Sequence, residues 1–271
     1  MRYMTKSPIY HTVWALLPIV AACSSDARSN ANAQGVADTI GGAPRITVIQ
    51  RSSTLYHMVL VPNPGTVTGV VQFDGTPSGD MIIQVSADQN GCGKPLTIRR
   101  LERTNGNVAN VVVWLTDVRA GEALPSARRF ELENNDCQWT PVVQTTLVGG
   151  TLNVINSDPL AERAFATDVA TGDTVADAPF TDDGQLIPYD RLMRSPGVYE
   201  FSVESRPMSR AWIAVFDQPY FAVTKGDGSF SIDGVPAGTH TVRAWHPLLG
   251  VADGSVTVAA GGSASLTLRF K

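Results

Sequence analysis

From Gly65 to Lys271 the chain is a succession of short apolar stretches cut by turn signals, with no long amphipathic helix among them. Thr66 to Phe73 alternates apolar and polar residues and stops at Asp74-Gly75, a turn pair. Val111-Val112-Val113-Trp114-Leu115 is apolar throughout, as expected for a strand buried on both faces. Further strands are expected at 82–87, 128–133, 142–147, 150–155, 198–203, 210–216, 254–258 and 264–270. Tyr220–Thr224 and Ser229–Ile232 read as a hairpin around Lys225-Gly226-Asp227-Gly228, and a strand follows at Thr239–Trp245. The span 157–197 holds Asp158-Pro159, Asp182-Asp183-Gly184 and Ser195-Pro196-Gly197, and reads as loop with short fragments of structure. Strands with turn signals about every 8–12 residues specify an all-β sandwich architecture.

The amino terminus is set apart from this pattern. Arg2 and Lys6 precede an apolar stretch, Val13 to Ala22, which has the length of a signal-peptide core and is too short to span a bilayer. It ends in Val20-Ala21-Ala22-Cys23, which resembles a bacterial lipobox. That resemblance implies cleavage before Cys23 and lipidation of its thiol. The alternative is an ordinary secretory signal followed by an unrelated cysteine. Ser24-Ser25 places no aspartate at the second mature position, so in a two-membrane cell the expected address is the outer membrane, facing the periplasm or the cell surface. Residues 23–45 are small, polar and free of aromatics, a composition expected to form a disordered tether. Residues 46–61 have no clear period, with Ile46–Ile49 the best strand candidate.

Loss of the signal removes two basic residues and takes the formal charge from −4 to −6. With no basic run, nucleic acid is not an expected partner. Once Cys23 is assigned to lipid, Cys92 and Cys137 remain, and an exported pair reads most simply as one disulfide. Two thiolates on a metal are the alternative, which lacks nearby histidines. No Gly-x-Ser-x-Gly, no His-Glu-x-x-His and no calcium-loop spacing occurs, and no enzyme activity is expected.

Asp227-Gly228-Ser229-Phe230, followed by Gly234-Val235-Pro236-Ala237-Gly238-Thr239-His240-Thr241-Val242, resembles the carboxypeptidase regulatory-like domain, a small transthyretin-type sandwich. The likeness covers about 219–271. The middle of the chain resembles a bacterial exported family in which a cupredoxin-like region is fused to that module. The matching stretches include Gly65–Gly75, Val108–Leu115, Cys137–Pro141, Asn156–Pro159 and Arg210–Thr224. The resemblance implies a cupredoxin-like sandwich over 46–218, a regulatory-like module over 219–271, and supports the Cys92–Cys137 bridge.

The departures matter most. Where members with a copper site carry histidine after Asn-Ser-Asp-Pro, this chain has Leu160-Ala161-Glu162-Arg163-Ala164-Phe165. Where they carry Cys-x-x-His, it has Val203-Glu204-Ser205-Arg206. A further family histidine position is held by Val142. A type-1 copper needs two imidazoles and a thiolate. At Glu162, Phe165, Val203 and Arg206 all three are missing, and Met208 alone holds no copper. No cofactor is therefore expected. Glu162 and Arg206 are expected either to pair in the vacated position or to remain solvated loop charges.

His240 and His246 fall on one strand face about 20 Å apart, too far to share a metal, and both read as structural. Trp139, Trp212, Trp245 and Tyr220 are the aromatics available to bind a ligand, although core packing is the expected role for most of them. The expected function is a non-enzymatic envelope lipoprotein with a binding or scaffolding role, toward an envelope protein or a glycan. A carbohydrate-binding module is the alternative, and a copper electron carrier stands last.

Overall fold

The computed structural model describes residues 55–76, 81–83, 96–98, 101–126, 128–190 and 192–271, all within one compact unit, Gly42–Lys271. Cys23, Cys92 and the strand expected at Ile46–Ile49 lie outside the described residues. The described chain is all-β but for one short 3-10 turn, Leu192–Arg194. No helix among the described residues is long and apolar enough to cross a membrane.

Four sheets carry the fold. Sheet one centres on Gly65–Phe73, which pairs with Ser229–Val235 in antiparallel register and with Ser263–Phe270 in parallel register. Asn107–Val108 and Arg103–Thr104 extend it. Sheet two runs Phe221–Val223, Val112–Leu115, Gly238–His246, Gly250–Val258, all antiparallel. Sheet three runs Val143–Leu147, Arg206–Phe216, Gly197–Val203, Glu162–Asp168, Thr174–Phe180. Sheet four runs Gln138–Thr140, Arg129–Asn135, Thr151–Asn156, Gln185–Pro188. Each of the last two sheets contains one parallel pairing.

Three apolar layers lie between these four sheets. The first joins sheets one and two, through Val67, Val71, Phe230, Leu268 and Phe270 on one side and Val113, Leu115, Val242 and Ala244 on the other. The second joins sheets three and four, through Phe201, Ala211, Ile213 and Val215 against Leu132, Trp139, Leu152 and Val154. The third joins the two sandwiches themselves. Val112, Trp114 and Trp245 from sheet two meet Val143, Leu147, Val198, Ala214 and Phe216 from sheet three. Val112–Leu115 therefore has Val113 and Leu115 in one core and Val112 and Trp114 in another. That is the physical reason for its unbroken apolar sequence, since successive side chains point to opposite faces and here both faces are dry.

This topology corrects three expectations. The boundary expected at 218/219 runs through sheets one and two, which take strands from both 65–115 and 221–270. The second sandwich, 129–216, is inserted between them. Next, the hairpin expected over 220–232 is a turn between two sheets. Phe221–Val223 pairs with Val112–Leu115, whereas Ser229–Val235 pairs with Gly65–Phe73. Finally, the span 157–197 carries two full strands and an edge strand where loop with short fragments was expected: Glu162–Asp168 and Thr174–Phe180 form an antiparallel pair, and Gln185–Pro188 edges sheet four. The buried positions of Glu162–Asp168 are Glu, Ala, Ala and Asp, so alternation is present without the apolar signal that reveals it.

The two chain passages between the sandwiches are tied together at Tyr220, which is fully buried. The Glu122 amide donates to the Tyr220 hydroxyl at 2.8 Å. The Leu115 amide donates to the Tyr220 carbonyl at 3.0 Å, and Gln218 Nε2 donates to the Leu115 carbonyl at 3.3 Å. A Cβ on Gly121 would run into the Tyr220 hydroxyl, so the approach requires glycine. Phe216 leads into this passage and stacks on Phe221, with ring centroids 4.7 Å apart. Phe216→Ala is expected to lower stability by about 3–5 kcal/mol. Because the third layer is shared, urea unfolding followed by tryptophan fluorescence and by far-UV dichroism should remain one coincident transition. Two separated transitions in the unsubstituted protein would show that the layer does not couple the sandwiches.

Candidate functional site

Of the two alternatives for Glu162 and Arg206, pairing or solvated loop charges, the structure has the pair. Glu162 opens Glu162–Asp168, and Arg206 opens Arg206–Phe216 directly after the Glu204-Ser205 turn. Strand register sets Ala164 opposite Val203 and Val203 opposite Arg206, which brings the two charged residues to one end of the second sandwich. Arg206 Nη1 lies 2.6 Å from Glu162 Oε1, and both side chains are at most 4% exposed. Ser205 Oγ lies 2.9 Å from each Glu162 carboxylate oxygen, as donor.

A second carboxylate belongs to the cluster. Asp158 Oδ2 is 3.6 Å from Arg206 Nη2 and equally buried. The Cys137 amide donates to both Asp158 oxygens, at 3.0 and 3.2 Å. Ser209 Oγ donates to the Cys137 carbonyl at 3.0 Å. Asn156 completes the frame, its Nδ2 donating to the carbonyls of Asp158 and Leu160, each at 3.0 Å. Burial pushes the Asp158 carboxyl above its ordinary range, against the opposing pull of the Cys137 amide and the Arg206 charge. The guanidinium nitrogens have no aligned hydrogen-bond partner among the described residues, so the contact with Glu162 is chiefly one of charge.

Cys137 sits in the two-residue turn of the hairpin joining Arg129–Asn135 to Gln138–Thr140, with Asn135 opposite Gln138. Asp136 and Cys137 have φ of 51° and 62°. Both central residues are thus left-handed, as a type I′ turn requires, without the glycine that usually fills it. Cys137 is disulfide-bonded.

Phe165 does not join the cluster. It falls on the opposite strand face from Glu162, part-buried, with the Arg163 guanidinium 5.9 Å from its ring. Val203 is buried within the second core beside the cluster, Met208 is 42% exposed, and Val142 is exposed. The donor set offered here is two carboxylates and a guanidinium, with no imidazole or thiolate. It does not fit a type-1 copper. Among the described residues no three His, Cys, Asp or Glu side chains converge as a metal site.

The aromatics offered for ligand binding are placed inside. Trp139, Trp245 and Tyr220 are buried. Trp212 is half-buried, and its indole donates to Glu200 Oε2 at 3.2 Å. His240 and His246 make structural contacts. His240 lies between Asp117 Oδ2, at 3.2 Å, and the Pro236 carbonyl, at 2.8 Å. His246 Nδ1 accepts the Leu248 amide at 3.2 Å and closes the turn after its strand. Asp158, Ser205 and Ser209 are the residues that sequence reasoning passes over. Asn156–Pro159 is legible as a motif, but the bond from Asp158 to the Cys137 amide depends on a turn whose geometry no local pattern announces.

Comparison with known proteins gives the following. A family profile described as polysaccharide lyase family 4, domain II, matches residues 215–266. No curated protein matches the chain. Similar solved structures include cupredoxins. A purple cupredoxin from Nitrosopumilus maritimus is 16% identical, over 32% of this chain and 99% of its own, with a TM-score of 0.28. A methionine-to-alanine mutant of amicyanin in the Cu(I) state is 16% identical, over 35% of this chain and 87% of its own, at 0.29. An auracyanin from Roseiflexus castenholzii is 12% identical, over 34% of this chain and 99% of its own, at 0.25. Likeness at this level says nothing about what the present chain binds.

Two outcomes follow. Arg206→Met removes one partner from a buried ion cluster and should cost about 3–5 kcal/mol in urea unfolding, with part recovered by adding Glu162→Gln. A loss below about 1 kcal/mol would mean that these charges are effectively solvated. His246 is held neutral by burial, with its pKa pushed down to about 4. A lowered imidazole pKa means that the unfolded chain binds the extra proton first. The contribution of His246 is therefore full above about pH 6.5 and is lost as pH falls toward 4. His246→Asn keeps an acceptor for the Leu248 amide and should flatten the fall of unfolding free energy between pH 6.5 and 4.

Proposed function

We propose that the protein is a non-enzymatic envelope lipoprotein with a binding or scaffolding role, in which a cupredoxin-like sandwich has its metal position closed by charged residues. The observation that carries this reading is the Arg206–Glu162 contact at 2.6 Å, with both side chains buried where the family resemblance places metal ligands. The lipid at Cys23 holds the body at the outer membrane, facing the periplasm or the cell surface. Cys137 pairs with Cys92, a reading supported by the disulfide-bonded state of Cys137 and by the assignment of Cys23 to lipid. The partner is an envelope protein or a glycan.

A carbohydrate-binding role is the second reading, favoured by the family profile over 215–266. An aromatic platform does not support it, because Trp139, Trp245 and Tyr220 are in the cores. Sugar contact would have to come from exposed polar side chains.

Metal analysis of the purified mature protein after copper loading, with a visible spectrum, tests the main reading. We expect copper far below one equivalent, no intense thiolate-to-copper band, and Cys92 recovered joined to Cys137 by non-reducing peptide mapping. Stoichiometric copper with a strong visible band would return the protein to electron transfer.

A further inference from the structure

We propose that Leu55, Met58, Val59 and Leu60 form a strip that contacts the lipid bilayer carrying the anchor at Cys23. The inference rests on the lipoprotein reading above and adds an orientation to it. These four side chains are 81%, 66%, 51% and 94% exposed, and they fall within six consecutive residues. The other large apolar side chains exposed on the described surface are separated along the sequence.

The strip is held in place. The His57 amide donates to the Arg119 carbonyl at 2.9 Å, and the Val59 amide donates to the Gly121 carbonyl at 2.7 Å. These bonds fix His57–Met58 parallel to Ala120–Gly121. The Tyr56 hydroxyl donates to the Glu122 carbonyl at 2.7 Å, and its ring meets Tyr220 edge-on at 6.5 Å. Val61 is buried on the other side of the strip. Two inward anchors, Tyr56 and Val61, thus bracket Met58, Val59 and Leu60, with Leu55 next to the first anchor, and all four side chains are displayed to solvent. Apolar residues presented together on a fixed backbone mark a contact surface.

Position selects the bilayer as the occupant. Leu55 stands 32 residues after Cys23, and the intervening residues 24–54 span at most about 110 Å when fully extended. A body tied by a lipid at Cys23 never leaves that distance from the membrane. The high effective concentration of bilayer lets a weak apolar contact be occupied. The formal charge of the mature chain, −6, gives no general attraction to anionic lipid, so apolar burial is the driving force and the contact should be insensitive to salt.

The test couples residues 23–271 through the Cys23 thiol to a maleimide lipid in phosphatidylcholine vesicles that contain a photoactivatable acyl chain. Lipid adducts are then mapped by mass spectrometry. Most adducts are expected in the peptide that carries 55–60, with a yield unchanged in 1 M salt. Replacing Leu55, Met58, Val59 and Leu60 together by Ser should lower that yield at least five-fold with the thermal unfolding midpoint unchanged. Adducts spread over the surface, an unchanged yield in the variant, or chain-to-chain cross-links at the strip in place of lipid adducts would each overturn the proposal. Chemical coupling at Cys23 makes the result independent of natural acylation. Failure of the lipoprotein reading would show separately, as absence of metabolic palmitate label on the protein in cells.

Discussion

The layer between sheets two and three is the constraint on which the architecture depends. A sheet that faces solvent on one side can alternate apolar and polar residues, but sheets two and three are covered on both sides where they meet. Their central strands must therefore be apolar at consecutive positions, as Val112–Leu115 and Ala211–Phe216 are. The aromatics Trp114, Phe216 and Phe221 fill the layer by tilted and stacked contacts at 5.6 and 4.7 Å. This layer permits an insertion of nearly ninety residues inside the first sandwich without a flexible junction. Tyr220 and Gln218 then fix the passage out of the insertion against the passage into it.

Much of this order is written locally. Strands over 65–73, 112–115, 143–147, 151–156 and 197–203, and the 210–216 part of Arg206–Phe216, follow from alternation or apolar runs, as does the all-β class. The division of the chain into sandwiches does not. Gly65–Phe73 pairs with Ser263–Phe270 across almost two hundred residues, and nothing in either segment names the other. A motif that recognises 219–271 as a unit sees the connected half of a sandwich and misses the half supplied by 65–121. The strands Glu162–Asp168 and Thr174–Phe180 are hidden for a different reason. Their inward residues, Phe180 apart, are small or charged, because this part of sheet three closes over alanines and over the ion cluster.

The cluster is legible only in part. Position relative to a family pattern brings Glu162 and Arg206 together. It also nominates Phe165, which the strand alternation turns to the other face. Asp158 enters through a backbone amide, and that kind of contact leaves no side-chain pattern in sequence. Burying two carboxylates and one guanidinium is not a way to gain stability, since desolvation of the ions offsets their attraction. Such a cluster fixes which groups can be neighbours: once Arg206 is inside, Glu162 and Asp158 must face it, and the ends of three strands and one turn are set accordingly.

The same cluster explains how Cys137 tolerates its backbone. Left-handed φ at two successive residues other than glycine is unfavourable by about 1–2 kcal/mol at each. Here the Cys137 amide is bound by Asp158 and its carbonyl by Ser209, so both polar groups of the residue are satisfied by side chains from other parts of the chain. Asp158 has the capacity for this because Arg206 takes only a long contact from it, at 3.6 Å, leaving its oxygens to the turn. The ion cluster and the disulfide-bearing turn are thus one mechanical unit. Its charged groups face one another and the turn, and their burial keeps them from solvent. Groups arranged this way serve the fold: they hold the turn and the strand ends and present no charge to solvent.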